Sequence, residues 1–261
     1  RQDDNGDMIK AMFGLHASFT LSNETMEKVI KVMDGFDNGY HIHVAESIQD
    51  QYDSLQNYGK RVVERLHAFE ILGSRTIAVH CVHVSQSEME ILKDTGTSVV
   101  HNPESNMNNA VGVPPVVSML KKGITVGLGT DAYTNDMFES MKVSNILQRH
   151  HLGDTSIGFM ETKVMQFENN PKILRKFYKK DLGILREGAY ADIITLDYEP
   201  LTPMNGENWF GHVLFGVSGK SVNDTIINGK FVMKDRKILT ADVSEIMAKS
   251  RERAKQIWPS M

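Results

Sequence analysis

The chain has 261 residues, and its 33 acidic residues outnumber its 29 basic ones, which gives a formal charge of −4 at pH 7. This balance provides no basic surface for nucleic acid or for an anionic membrane. Apolar residues make up 41%, as in globular proteins, but no apolar run reaches the roughly 20 residues of a membrane span. The single cysteine, Cys81, excludes an internal disulfide and fits a reducing compartment. These features predict a soluble, cytoplasmic protein.

Residues 10–152 alternate short apolar runs with polar segments of helical length. The sequence predicts strands at 11–19, 40–46, 76–82, 97–103 and 125–131, separated by helical segments at 23–36, 51–72, 86–94, 116–122 and 136–151. Apolar strands that alternate with helices indicate βαβ units and a parallel sheet. Each strand ends in polar residues, and the C-terminal strand ends carry the chemistry in barrels of this type.

The pattern changes near Ile184. Residues 187–200 and 222–242 read as short β segments joined by turns, and Asn228-Gly229 is a hairpin signal. Residues 243–258 follow as a helix with Lys and Arg on its exposed side. We therefore expect a second, smaller β element after the α/β part.

The segment His41-Ile-His43-Val-Ala-Glu46 is the richest local cluster of reactive side chains. Residues i and i+2 of a strand share a face, so His41 and His43 point the same way. Imidazole is the commonest metal-ligating side chain, and a carboxylate at the strand end can act as a general acid or base. The structural alternative is that the two histidines satisfy each other or a neighbouring loop.

Three later strands also end in polar residues. His80 comes at the next strand mouth, where it could bind a metal, polarise a substrate carbonyl or hold a leaving group, and Asp131 ends the fifth predicted strand. Taken singly, His80 could be structural and Asp131 a helix N-cap. Residues 102–106 either contact a ligand or shape their loop. The ordered set from His43 to Asp131 on successive βα units favours a catalytic metal site over a purely structural role.

The segments HIHVAE, AVHCVHVS, VVHNPESNMNNAVG and GLGTDA resemble, in this order, the later strand motifs of the amidohydrolase superfamily. The nearest branch is the aminohydrolase/chlorohydrolase group, with guanine, cytosine and adenosylhomocysteine deaminases and triazine hydrolases. This resemblance implies an α/β fold, a metal-dependent (β/α)8 TIM barrel with a small β-sandwich domain. It further implies that residues 1–183 form the C-terminal portion of the barrel, 184–241 part of the sandwich, and 242–261 a C-terminal helix.

The resemblance also implies roles for individual residues. His43 and Asp131 match metal ligands, and Asp131 is also the proton shuttle. Glu46 matches the acid that protonates a ring nitrogen, and His80 the histidine that orients substrate or water. His16 matches a substrate-facing histidine, and Asn106 is expected to contact substrate as well. One divalent ion is implied, zinc or else iron.

The first-strand His-x-His pair of this superfamily has no counterpart before residue 11. His41-x-His43 is not that pair, because only 88 residues separate His43 from Asp131, whereas eight strand-helix units need about 250 residues in all. We therefore expect barrel strands four to eight here, with two open sheet edges, and a longer protein that contains the rest. The rival expectation is a truncated paralogue that packs differently.

The implied activity is hydrolytic deamination of a cyclic amidine or an aminated heterocycle, such as a purine, pyrimidine or triazine, with release of ammonia. Displacement of chloride or opening of a cyclic amide would use the same metal chemistry. A different alternative is a catalytically incomplete subunit that binds a ligand or a partner. A metal-free α/β binding protein is the third. The expected partners are a small heterocyclic substrate and a second copy in a homodimer, without nucleic acid or membrane.

Overall fold

A computed structural model describes residues 7–258 of the chain. The chain divides into two compact units, and the boundary lies between Ile184 and Leu185. Among residues 7–258, no helix is both long and apolar enough to cross a lipid bilayer.

The first unit is built around a five-stranded parallel sheet. Its strands are β1 (Phe13–Ala17), β2 (Tyr40–Val44), β3 (Ile77–His80), β4 (Ser98–His101) and β5 (Val126–Leu128). Their order in space follows their order in the chain, β1-β2-β3-β4-β5. Every adjacent pair is parallel, so all five C-terminal ends lie along one edge of the sheet. The five predicted strands are thus confirmed, each shorter at its polar end than expected.

In the described part of the first unit, residues 7–184, nine helices follow or connect these strands. They are α1 (Asn23–Met33), α2 (Ile48–Tyr58), α3 (Val62–Ala68), α4 (Gln86–Asp94), α5 (Pro103–Asn108), α6 (Val116–Lys121), α7 (Met137–Leu152), α8 (Phe159–Val164) and α9 (Asn170–Leu174). A 3₁₀ turn at Ser18–Thr20 follows β1, and a π-helical turn at Met165–Asn169 joins α8 to α9. Serine side chains cap α1, α2 and α4, where Ser22, Ser47 and Ser85 accept hydrogen bonds from first-turn N–H groups.

Two segments differ from the sequence prediction. The helical stretch expected over 51–72 is two helices, because Gly59 ends α2 in a left-handed conformation (φ 65°) and α3 begins only at Val62. The residues after β4, expected to act as turn formers, instead form α5 with Pro103 in its first turn. This short helix starts two residues after the strand ends, with only Asn102 between them.

The core of the first unit lies between the sheet and its helices. Ile42 and Val44 of β2 are fully buried, whereas His41 and His43 on the alternate face remain more accessible. A buried polar network supports the same layer: Glu88 of α4 accepts hydrogen bonds from Arg61 Nε (2.7 Å) and from the Ser85 N–H (2.8 Å). One face of β2 is therefore committed to packing, and its other face is left for the site.

The outer edge of β5 is covered by two asparagine side chains. Asn170 accepts from the Leu128 N–H (3.0 Å) and donates to the Leu128 carbonyl (2.9 Å), and Asn169 donates to the Val126 carbonyl (2.8 Å). The expectation of two open edges is therefore wrong for β5 at these positions. The amides satisfy backbone groups that a neighbouring strand would otherwise need to pair.

The second unit contains an antiparallel four-stranded sheet of order β6-β7-β8-β9. Its elements are β6 (Ile193–Leu196), α10 (Trp209–Gly216), β7 (Val222–Ile227), β8 (Lys230–Lys234), β9 (Lys237–Ile238) and α11 (Val243–Ile257). The predicted hairpin is confirmed, since Asn228 and Gly229 both have positive φ (48° and 76°) between β7 and β8. Positive φ at both central residues is typical of the two-residue hairpin turn whose twist matches that of the flanking strands.

Candidate metal and catalytic site

Three side chains meet at the C-terminal edge of the parallel sheet. His43 lies on β2, His80 ends β3, and Asp131 follows β5. One potential ligand atom from each lies within 4.8 Å of the other two. Strands that are neighbours or near neighbours in a parallel sheet bring their ends together in this way. The fold therefore assembles residues that are 37 and 51 positions apart in the sequence.

His43 is held with one ring nitrogen free. Its Nδ1 donates to the His16 carbonyl (2.8 Å), and this bond fixes the tautomer that leaves a lone pair on Nε2. A backbone carbonyl behind a histidine is the usual support of a metal-ligating imidazole. The His43 ring also stacks on that of His80, with 5.4 Å between the ring centroids and 18° between the planes.

His80 is fully buried, yet its Nε2 has no hydrogen-bond partner among residues 7–258. This nitrogen lies 3.7 Å from Glu46 Oε2 and 3.7 Å from Asp131 Oδ2. Burial lowers the pKa of His80, and the two carboxylates partly offset that effect. On the other side of the ring, Asn106 Nδ2 donates to Nδ1 across 3.4 Å, which places the ring proton on Nε2. His80 thus presents an N–H group to the space between two carboxylates.

The backbone at this edge adopts conformations that L-residues rarely occupy. Ala45, His80 and Asp131 have φ values of 47°, 72° and 48°, each at a cost of about 1–3 kcal/mol. At His80 the reason is visible. His80 pairs in register with Val44, which lies on the face opposite to His43, so regular strand geometry would point its ring away from His43. The positive φ breaks this alternation and lets the two rings stack.

Glu46 and Asp131 are both partly accessible, and each is oriented by one neighbour. Asn109 Nδ2 donates to Glu46 Oε1 (3.0 Å), which leaves Oε2 facing His80. Ser105 Oγ donates to Asp131 Oδ2 (2.6 Å). Both carboxylates thus keep at least one oxygen available to a ligand, and together with His43 and His80 they enclose a polar space open to solvent on one side.

His16 and Asn106, two of the residues predicted to contact substrate, lie in different surroundings. His16 is exposed on β1, its Nδ1 lies 3.0 Å from Thr20 Oγ1, and its ring centroid is 5.4 Å from that of His43. Asn106 is fully buried behind His80. His16 therefore borders the open side of the site, whereas Asn106 reaches it only through the His80 ring.

Sequence reasoning missed two residues that adjoin the cluster. The sequence pattern gives no separate role to Ser105 or to the fully buried His101 at the end of β4. Burial, with a smaller contribution from His80, lowers the pKa of His101 to about 3, so the ring is neutral. The strand-end position of His101 was the available signal. For Ser105 no signal existed, because Ser is common in turns.

The side chains present fit a divalent cation. The His43 Nε2 lone pair and the Asp131 carboxylate are nitrogen and oxygen donors of the kind that zinc accepts. The buried, unpartnered Nε2 of His80 adjoins them and marks a polar space without a protein partner in the described chain. This arrangement can hold a metal ion and, beside it, a proton donor and a proton acceptor.

The sequence profile of the amidohydrolase family matches residues 1–232. The chain is 34% identical over 254 residues to a 5-methylthioadenosine/S-adenosylhomocysteine deaminase of Thermoanaerobacter pseudethanolicus, covering 95% of this chain and 58% of that protein. It is 32% identical to a 5'-deoxyadenosine deaminase of Methanopyrus kandleri, with coverage of 97% and 59%. The chain thus spans about three-fifths of the length of these curated relatives.

Solved structures share the fold. An adenosine deaminase from Xanthomonas campestris with bound zinc superposes with a TM-score of 0.87 at 26% identity, covering 98% of this chain and 58% of that one. The atrazine chlorohydrolase TrzN from Arthrobacter aurescens TC1, complexed with zinc, superposes at 0.74 and 21% identity, covering 88% and 52%. The second likeness concerns the fold alone. Together with the parallel sheet, these neighbours confirm the prediction of a partial TIM barrel with a small second domain.

Proposed function

Because this chain belongs to the amidohydrolase family, we propose that it carries the catalytic half of a metal-dependent hydrolase that deaminates an aminated heterocycle. The observation that carries the proposal is the convergence of His43, His80 and Asp131 within 4.8 Å, with Glu46 3.7 Å from His80. The substrate class that we propose is a 6-aminopurine nucleoside altered at its 5' position. Support comes from two relatives whose names specify deamination of such compounds.

The residues that would hold the metal are His43, through Nε2, and Asp131, through its carboxylate. A bound zinc ion would supply a water molecule whose pKa lies near 7 rather than near that of bulk water. Zinc accompanies the similar adenosine deaminase structure, which favours zinc over iron in our proposal. The His43 Nδ1 bond to the His16 carbonyl keeps the ligating nitrogen unprotonated.

Two carboxylates divide the proton transfers. Asp131 takes a proton from the attacking water as its oxygen forms a bond to the ring carbon that bears the amino group. Glu46, which faces the site through Oε2, gives a proton to the adjacent ring nitrogen. Asp131 then passes its proton to the amino group, the C–N bond breaks, and ammonia leaves. Glu46 recovers a proton from the new hydroxyl group, so the product carries a carbonyl and both carboxylates return to their starting state.

His80 orients the reacting oxygen. Its Nε2–H lies 3.7 Å from both Glu46 and Asp131, and a hydrogen bond from there would stabilise charge that develops on the attacking oxygen. The low pKa that burial gives His80 keeps the ring neutral near pH 7, so it serves as a hydrogen-bond donor without giving up its proton. His16, at the open side, is proposed to face the substrate. A homodimer, expected above, is also part of the proposal.

The test is ammonia release by the zinc-supplemented protein from 5'-methylthioadenosine, 5'-deoxyadenosine, adenosine and atrazine. We expect turnover of at least one adenosine derivative, its loss in Asp131→Asn, and a decrease in kcat of about 10²–10⁴-fold in Glu46→Gln. Asp154→Asn, an exposed change at the end of α7, is the matched control and should keep full activity. Full activity in Asp131→Asn, or no ammonia from any compound, would contradict the proposal. Chloride release from atrazine alone would instead favour a chlorohydrolase.

A further inference from the structure

Helix α5 and Asn109, the residue that follows it, contact all three of the reactive groups that face one another at the site. Ser105 Oγ donates to Asp131 Oδ2 (2.6 Å), Asn106 Nδ2 donates to His80 Nδ1 (3.4 Å), and Asn109 Nδ2 donates to Glu46 Oε1 (3.0 Å). The three targets come from three different strand ends, whereas the three donors lie within five consecutive residues. We propose that Ser105, Asn106 and Asn109, named here the α5 cradle, are positioning residues that orient the acid, the base and the histidine together.

The contacts fit positioning better than substrate binding. Ser105 is 5% exposed and Asn106 is fully buried, so neither can reach a substrate in the open space. Asn109 is exposed, but its amide is directed to the oxygen of Glu46 that does not face His80. Asn106 and Asn109 thus bind the side of their target that faces away from the site, whereas Ser105 holds Oδ2 of Asp131 and leaves Oδ1 free. A side chain that holds one end of a ligand or acid group selects its rotamer and its tautomer.

The cradle is anchored to the fold independently of the site. Helix α5 begins at Pro103, directly after β4, and the Asn106 N–H donates to the Asn102 carbonyl (3.1 Å). The segment that follows is fixed as well, because the Val111 N–H donates to the Asn106 carbonyl (3.2 Å) and His83 Nε2 contacts the Val111 carbonyl at 2.7 Å. Since both ends are fixed, the side chains of α5 can impose geometry on Asp131, His80 and Glu46.

The role of the cradle in catalysis rests on the proposed function, but its effect on the metal site can be measured without any substrate. Ser105→Ala removes the hydrogen bond to Asp131, a proposed ligand, and we expect the zinc dissociation constant to rise about 10–100-fold. Ser105→Thr keeps a hydroxyl group and should restore most of the affinity. Ser118→Ala, an exposed serine on α6, and Asn109→Ala, which acts on Glu46, should bind zinc as the unaltered protein does.

The experiment is a zinc competition titration with a chromophoric chelator, with circular dichroism to verify that each variant is folded. Wild-type zinc affinity in folded Ser105→Ala, or an equal loss in Ser118→Ala, would overturn the proposal. Asn109→Ala provides a second test, and this variant should stay folded because the residue is exposed. Its kcat should fall about tenfold or more with little change in KM, and an unchanged kcat would count against the cradle. A protein without turnover but with the expected zinc pattern would contradict the proposed function alone.

Discussion

Glu88 is the carboxylate whose loss should destabilise the first unit most clearly. It is fully buried on α4 and accepts four hydrogen bonds, from Arg61 Nε (2.7 Å), the Ser85 N–H (2.8 Å), the Val63 N–H (3.0 Å) and Gln51 Nε2 (3.1 Å). In Glu88→Gln, one of the two oxygens becomes an NH₂ group that faces these donors. At least two buried donors then lose their acceptor, at about 1–3 kcal/mol each.

The free energy of unfolding should therefore fall by about 3–5 kcal/mol, the usual effect of removing one partner of a buried ion pair. Glu90 on the same helix provides the matched control. It pairs with Lys122 at the surface, with 47% of its side chain exposed, so Glu90→Gln should leave the free energy of unfolding nearly unchanged.

Urea titrations followed by circular dichroism measure both variants under the same conditions. We expect the midpoint of Glu88→Gln to fall well below that of Glu90→Gln, with the slope unchanged. Equal midpoints would mean that the buried network contributes no more to stability than a surface ion pair, contrary to this prediction. The network also bears on the site, because Arg61 and Gln51 both donate to the His83 carbonyl just beyond β3.

Three further predictions concern groups close to the strand ends. Gly129→Ala would place a Cβ 2.5 Å from Asn102 Oδ1, so the free energy of unfolding in urea should fall by about 1–3 kcal/mol. In the control Gly14→Ala, the added Cβ meets nothing within 4 Å, so the free energy of unfolding should change little. Burial raises the pKa of Asp50 to about 6 from 3.8. Protonated Asp50 therefore contributes stability that is fully present below about pH 4 and is lost as the pH rises to about 6. The free energy of unfolding of the wild type relative to Asp50→Asn should fall by about 3 kcal/mol between pH 4 and 7. A difference that does not depend on pH would contradict this. Arg65→Lys loses the fork that donates to the Ser18 and Leu21 carbonyls, so its free energy of unfolding should fall by about 2–3 kcal/mol in the same urea titration; an unchanged midpoint would show that the fork does not contribute to stability.

The parts of the fold that depend on local apolar patterning were predictable from the sequence. All five parallel strands and the helices at 86–94 and 116–122 follow from runs of apolar residues and their period. The hairpin at Asn228-Gly229 follows from turn chemistry, because these residues tolerate positive φ. Such signals lie within a few neighbouring residues and need no knowledge of tertiary contacts.

The division of residues 51–72 into α2 and α3 required more than periodicity. Gly59 was available as a helix-stop signal, but the start of α3 depends on long-range bonds, such as the one from the Val62 N–H to Gln51 Oε1 (3.1 Å). The covering of β5 by Asn169 and Asn170 is likewise a contact across more than 40 residues. Contacts of this kind are set by packing and leave no local pattern.

At the site, sequence reasoning could identify reactive residue types at strand ends but not how they are held. Positive φ at Ala45, His80 and Asp131 is invisible in the sequence, because none of these positions is a glycine. The same holds for α5, where Ser and Asn read equally well as turn residues. Consequently Asn106, expected at the substrate, was found behind His80. Its predicted contact with substrate remains a prediction that the buried position does not favour.

We expect the strand ends of β2 and β5 to form a metal site. Anomalous X-ray diffraction at the zinc absorption edge, from crystals grown with zinc, can detect this site. It should show one anomalous peak per chain at about 2.0–2.2 Å from both His43 Nε2 and an Asp131 carboxylate oxygen. A zinc peak only at other residues, or no peak at this edge of the sheet, would contradict a metal site at these strand ends.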